Sequence, residues 1–125
     1  MFKIDKNSLT IKITRGDAGV FGVTATNDDG SDYTFQNGDK IRLAIYEKKN
    51  YESLMFEKIV SIVNKTTEVE IELTTVDTTI GDIINKPVDY WYEIELNPDG
   101  DTQTIVGYDE QGPKIFKLYP EGVEE

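Results

Sequence analysis

The stretch DYWYEIELNPDGDTQTIVGY, residues 89–108, constrains the fold of this chain more than any other. Two runs rich in aromatic, β-branched and threonine residues flank Asn97-Pro98-Asp99-Gly100. A proline presets φ at the second position of a type I turn, an aspartate suits the third, and a glycine tolerates φ > 0. With Pro98, Asp99 and Gly100 in that order, the stretch reads as a β-hairpin with a type I turn and a glycine bulge. In its first run Tyr90, Tyr92, Ile94 and Leu96 fall on one face, and Asp89, Trp91, Glu93 and Glu95 on the other. That period of two predicts a strand with one face in a core and one in water.

The rest of the chain repeats the idiom. Leu9, Ile11 and Ile13 alternate with Thr10, Lys12 and Thr14, and this first strand stops at Arg15-Gly16-Asp17-Ala18-Gly19. Phe21, Val23 and Ala25 define a second strand over 20–26, closed by a turn that contains Gly30. Tyr33-Thr34-Phe35 leads into Gln36-Asn37-Gly38-Asp39. A strand over 40–48 follows, with Ile41, Leu43 and Ile45 inward and Arg42 and Tyr46 outward. Residues 51–63 match helical spacing through Met55, Phe56, Ile59, Val60 and Val63. They also match a strand through Leu54, Phe56, Val60 and Ile62, with Lys58 as a misfit. The β-branched run at 59–63 favours the strand. Residues 68–74 alternate cleanly, residues 76–86 hold room for one short helical turn, and residues 114–118 form a last strand before a polar, frayed tail at 120–125.

Eight or nine short strands with frequent turns predict an all-β, antiparallel β-sandwich, immunoglobulin-like or jelly-roll in kind. At 125 residues the chain reads as one domain over 1–125, structured from about 8 to 119, and is long enough to bury a core without staples. It contains no cysteine and no histidine, which removes disulfides, the commonest general base and the commonest metal ligand. Thirteen basic against twenty-four acidic residues leave a net charge of −11. A surface that negative repels phosphate backbones and anionic lipid, so neither nucleic acid nor membrane is an expected partner. The opening MFKIDKNSL lacks the apolar run of a signal peptide, and no stretch approaches ~18 apolar residues, which predicts a soluble chain made in the cytoplasm.

Four features invite a functional reading. Arg15-Gly16-Asp17 matches the integrin-binding tripeptide, but Gly16 and Asp17 equally suit a turn in which glycine supplies φ > 0 and the flanking charges tie the loop down. Asn27-Asp28-Asp29-Gly30-Ser31-Asp32 and Asp99-Gly100-Asp101 gather hard oxygen ligands of the kind calcium takes. Neither has a twelve-residue loop closed by glutamate, and hairpin turns want the same residues. The carboxylates Glu68, Glu70, Glu72, Glu93 and Glu95 are numerous enough for glycoside chemistry but sit on solvated strand faces. No catalytic residue, metal or cofactor is therefore assigned. Trp91 lies on the polar face of its strand, as Tyr46 and Arg42 do on theirs. Trp91, Tyr46 and Arg42 are the candidate interface residues, with internal packing of Trp91 as the alternative.

The order of motifs carries a resemblance. Ile13-Thr14-Arg15-Gly16-Asp17 opens the series and Gln36-Asn37-Gly38-Asp39-Lys40-Ile41-Arg42-Leu43 follows a Tyr-x-Phe. Phe56-Glu57-Lys58 precedes a threonine-rich strand, and Val76-Asp77-Thr78-Thr79 leads to Tyr90-Trp91-Tyr92-Glu93-Ile94-Glu95-Leu96. Asp99-Gly100 and Thr104-Ile105-Val106-Gly107 complete it. From about residue 9 to 118 this resembles phage and prophage structural domains of Gram-positive hosts, such as the N-terminal domain of baseplate upper proteins and tail- or head-fibre attachment proteins. The resemblance implies a non-enzymatic virion component, made in the bacterial cytoplasm, that forms a homo-oligomer or docks to other virion proteins. A carbohydrate-binding module using Trp91, Tyr46 and Tyr108 is the alternative function, and a polysaccharide-acting enzyme stands behind it.

Overall fold

The computed structural model describes residues 1–122, and the run that contains Tyr90–Leu96 lies at the middle of its larger sheet. Nine strands follow one another: β1 (Phe2–Ile4), β2 (Ile11–Thr14), β3 (Gly19–Val23), β4 (Lys40–Lys48), β5 (Glu52–Ser61), β6 (Val69–Leu73), β7 (Val88–Leu96), β8 (Gln103–Val106) and β9 (Lys114–Tyr119). Among the described residues there is no helix. The fold is all-β and sandwich-like, with a seven-stranded sheet on one side and the β3–β6 pair on the other.

β7 is the hub. One of its edges pairs with β4 from Trp91 to Leu96. The other pairs with β9 over Val88–Tyr92 and, beyond that, with β8 from Ile94 to Leu96, with a bulge after Ile94. The larger sheet runs β1-β2-β9-β7-β4-β5 with β8 added to β7. It is not purely antiparallel, because β2 and β9 run parallel, with Ile11 opposite Phe116 and Ile13 opposite Leu118.

The alternation read from the sequence sets the core. Tyr90, Tyr92, Ile94 and Leu96 of β7, Ile41, Leu43 and Ile45 of β4, and Phe116 and Leu118 of β9 are buried against Val69, Ile71 and Leu73 of β6. Phe35 and Ile80 enter the same core from connecting segments. Each such side chain contributes about 1.5–3 kcal/mol on burial, so the inward rows hold the two sheets face to face.

Several expectations are corrected. The structure begins before residue 8: β1 pairs with β2, and Leu9, at φ 61, lies outside the strand it was expected to open. Residues 52–61 are strand, with a bulge at Met55 that puts Leu54 opposite Tyr46, on the outer side of the sheet. Lys58 points inward and bridges to the Glu72 carbonyl and, at 2.9 Å, to Asp77. The Thr74–Thr79 connection holds only one turn, closed by Thr78 N–H to the Thr74 carbonyl at 3.2 Å. In the hairpin, Gly100 N–H closes the turn on the Asn97 carbonyl at 3.1 Å, with Pro98 and Asp99 between them as expected. Yet the residue with positive φ is Asn97 (φ 52), not Gly100. An asparagine tolerates the left-handed region because its short side chain bonds locally, and Asn97 does so: its Oδ1 accepts from Lys40 N–H and its Nδ2 donates to Asp39. Of the tail at 120–125, Pro120–Gly122 are described and Glu121 is anchored to Arg15, while 123–125 lie outside the described residues.

Candidate functional site

The three candidate interface residues do share one surface, the outer face of the larger sheet. Tyr46 and Trp91 are directly cross-strand, and Arg42 stands opposite Glu95. The charges there are already partnered within the chain. Arg42 Nε donates to Glu57 at 2.6 Å, its Nη1 donates to Glu95 at 3.1 Å, and the Tyr46 hydroxyl donates to Glu93 at 3.0 Å. Burial works against the Arg42 charge, but the Glu57 carboxylate and Tyr46 outweigh it and hold the guanidinium above its ordinary pKa. Burial also lifts the Tyr46 phenol, with Arg42 pulling it down and Glu93 pushing it up. Trp91 is half-buried between two cross-strand neighbours, Tyr46 on β4 and Ile115 on β9. Tyr46 in turn leans on Tyr51, their centroids 5.5 Å apart. The face is thus a self-satisfied ladder of aromatic and ionic pairs, and Tyr108 stands apart from it in the loop after β8.

The Arg15-Gly16-Asp17 turn is consumed by the fold. Gly16 has φ 88, in the left-handed region where Gly30 and Gly38 also lie. Arg15 is buried: its Nε donates to the Ile80 carbonyl at 3.1 Å, Nη2 to the Gly81 carbonyl at 2.7 Å, and Nη1 to Glu121 at 2.7 Å. Asp17 accepts from the N-terminal ammonium, and its carbonyl accepts from the buried Thr78 hydroxyl at 2.7 Å. A tripeptide locked by these bonds presents no free arginine to a receptor.

Of the two acidic turns, the one at 27–32 is tied through Asp29 to its own chain, and Asp99 of the other pairs with Lys40 at 3.6 Å. Asp29 Oδ1 accepts from both the N–H and the hydroxyl of Ser31, which holds its carboxyl below the usual range. Asp39 is opposed by burial but held low by Gln36 N–H, the Tyr33 hydroxyl and the Asn97 amide. Among the described residues no group of three acidic side chains is placed to hold a metal ion. The glutamates of the central strand, Glu93 and Glu95, accept from Tyr46 and Arg42, and its Asp89 pairs with Lys117 at 3.4 Å.

What the sequence did not single out is the edge. Among the described residues β5, ten residues long, pairs only with β4, and Leu54 and Ile59 stand about half exposed on it at 48% and 49%. Val63, just beyond the strand, is 69% exposed. The sign was present in the surplus of apolar residues at both parities of 54–63, the same surplus that made the segment fit helix and strand alike. No family model matches the chain, nor does any curated protein or solved structure.

Proposed function

We propose that the chain is a non-catalytic structural module of a phage virion, docking to another virion protein through a sheet edge. Two separate supports stand behind this. The phage assignment rests on the order of motifs from Ile13 to Gly107, and the docking role rests on β5. That strand is the single observation that carries the reading. A ten-residue edge with apolar side chains half in water is what folded proteins blunt unless something covers it. β5 is blunted only in part, by the bulge at Met55 and by the inward turn of Lys58.

The contact accordingly moves from the Trp91 face to its neighbouring edge, because Arg42 and Tyr46 are tied to Glu57, Glu95 and Glu93. Carbohydrate binding has the Tyr46–Trp91 pair in its favour, but the Tyr46 hydroxyl that would meet a sugar is held by Glu93. Mass spectrometry of purified phage particles from the source strain tests the assignment. The protein is expected as a stoichiometric particle component. Its absence from particles in which the known capsid and tail proteins are detected overturns the reading.

A further inference from the structure

The flank between β5 and β6 is an open groove. Among the described residues β5 pairs only with β4 and β6 only with β3, so each turns a row of backbone N–H and C=O groups toward this side. A shallow cavity of about 600 Å³ lies at one end of the groove, lined by the last residues of β5, the connection that follows and the first residues of β6, with Val60, Ile62, Val63, Thr67 and Val69 among them. Lys58 struts one end of the flank by reaching the Glu72 carbonyl and Asp77. The other end, toward Val63, is closed by the 62–68 connection that carries the chain from β5 to β6, itself held by paired bonds between Phe35 and Thr66.

The charge of this flank is one-sided in its middle. Among the described residues Glu52 on β5 and Glu68, Glu70 and Glu72 along β6 enter no ion pair. The only lysine within either strand, Lys58, is taken by Asp77, and Lys48, Lys49 and Lys65 stand at the strand ends. Two copies of a chain with net charge −11 would bring these acidic rows together.

We propose that the groove receives an extended segment of a different, basic protein, which adds as a strand to the free edge of β5. Its side chains would alternate apolar residues, packing on Leu54 and Ile59 of the outer face, with lysine or arginine at the inward positions, reaching past the rim of β6 toward Glu70 and Glu72 as Lys58 reaches Asp77. Main-chain ladder bonds supply the affinity and the alternate side chains the selectivity. The inference rests on the docking reading above and names the chemistry of its partner.

The test uses two end-blocked nine-residue peptides, one alternating valine with lysine and the other valine with glutamate, titrated into the intact protein. Amide resonances are followed by NMR and affinity by calorimetry. The lysine peptide is expected to shift amides of 52–63 and 66–72, and the glutamate peptide is expected to shift none. Glu70→Gln combined with Glu72→Gln weakens the lysine peptide by at least ~3-fold at low salt and by less at ~1 M, where screening shortens to about 3 Å. Ile59→Lys weakens it further while leaving the β-type circular dichroism unchanged. Equal binding of the two peptides, shifts centred on Trp91, no binding at all, or a light-scattering mass that shows copies joined through β5 would each overturn the proposal. A protein found in virions that fails the peptide test loses this inference and keeps its function. A protein that passes but is absent from particles does the reverse.

Discussion

The two flanks of the sandwich are built on different plans. On one, β1 of the larger sheet meets β3 of the smaller through Phe2 and Phe21, whose rings stack with centroids 6.3 Å apart. Gly19 lets that contact close: a Cβ there would lie 2.6 Å from the Phe2 ring. The buried Arg15 then pins the 80–81 backbone and Glu121, and Asp17 holds the N-terminus. The edge strand on this side is three residues long. On the other flank a ten-residue edge strand faces β6 across a groove with Lys58 as its strut. A short edge, plugged by aromatic rings and charged hydrogen bonds to backbone, offers nothing to a second strand. A long edge with a filled interior and a bare rim does. The contrast teaches that stability and availability have been assigned to opposite sides of one core.

The largest effect that could break this contrast is at Arg15. Arg15→Met is expected to cost about 2–4 kcal/mol, because the Ile80 and Gly81 carbonyls lose charged donors in a buried place. Lys58→Met, removing the strut of the open flank, is expected to cost at most about 1 kcal/mol. Equilibrium urea unfolding reads both, and equal losses would erase the distinction between the flanks. Next comes Gly19→Ala, which forces the Phe2 ring aside and is expected to cost about 1–3 kcal/mol. A neutral result would mean that β1 can lift away, and that the sealed side is a second open edge.

Acid should act on the open flank through Asp77. Burial raises its pKa, but Thr74 N–H and Lys58 pull it below the ordinary 3.8. The unfolded chain therefore binds this proton at higher pH than the folded one. The stabilisation is complete above about pH 4–5 and is lost as pH falls through the folded value. Stability measured from pH 6 down to 2.5 is expected to fall less steeply for Asp77→Asn than for the parent; parallel curves would place the acid sensitivity elsewhere.

The smallest effect is a control away from both flanks. Gly100→Ala is expected to be neutral or to stabilise by up to about 0.5 kcal/mol, since Gly100 is not in the left-handed region and a Cβ there meets nothing within 4 Å. A loss above about 1 kcal/mol would return the positive φ of the hairpin to Gly100.

That last case shows how far the sequence could be read. Where the signal was local, the elements came out as expected: β4 spans Lys40–Lys48, and β7 carries Tyr90, Tyr92, Ile94 and Leu96 inward, because side-chain parity alone decides both. The same parity placed Trp91, Tyr46 and Arg42 on one face. It did not show that Glu93, Glu95 and Glu57 satisfy that face, since those bonds depend on register between strands, with Arg42 and Glu95 far apart in the chain. The Met55 bulge hid Leu54 on the outer side for a similar reason: one inserted residue reverses the parity of everything before it. β1 was too short to show a period, and the grip of Arg15 on two carbonyls has no sequence signature, because any residue supplies a carbonyl.

The parallel pairing of β2 with β9 has a consequence for the time course of synthesis. β9 fills the place between β2 and β7 and is the last of the nine strands to leave the ribosome. Until it does, β1 and β2 have no route into the sheet, and β7 is open along half of one side. The nascent chain can pair β4 with β5 early, since that pairing is hairpin-like, and β7 can join β4 once it emerges, but the seam that joins the beginning of the fold to its hub is sewn only after both. A ribosome-stalled chain ending before Lys114 should accordingly remain open to protease around Ile11–Thr14, and release of a few further residues should close that site.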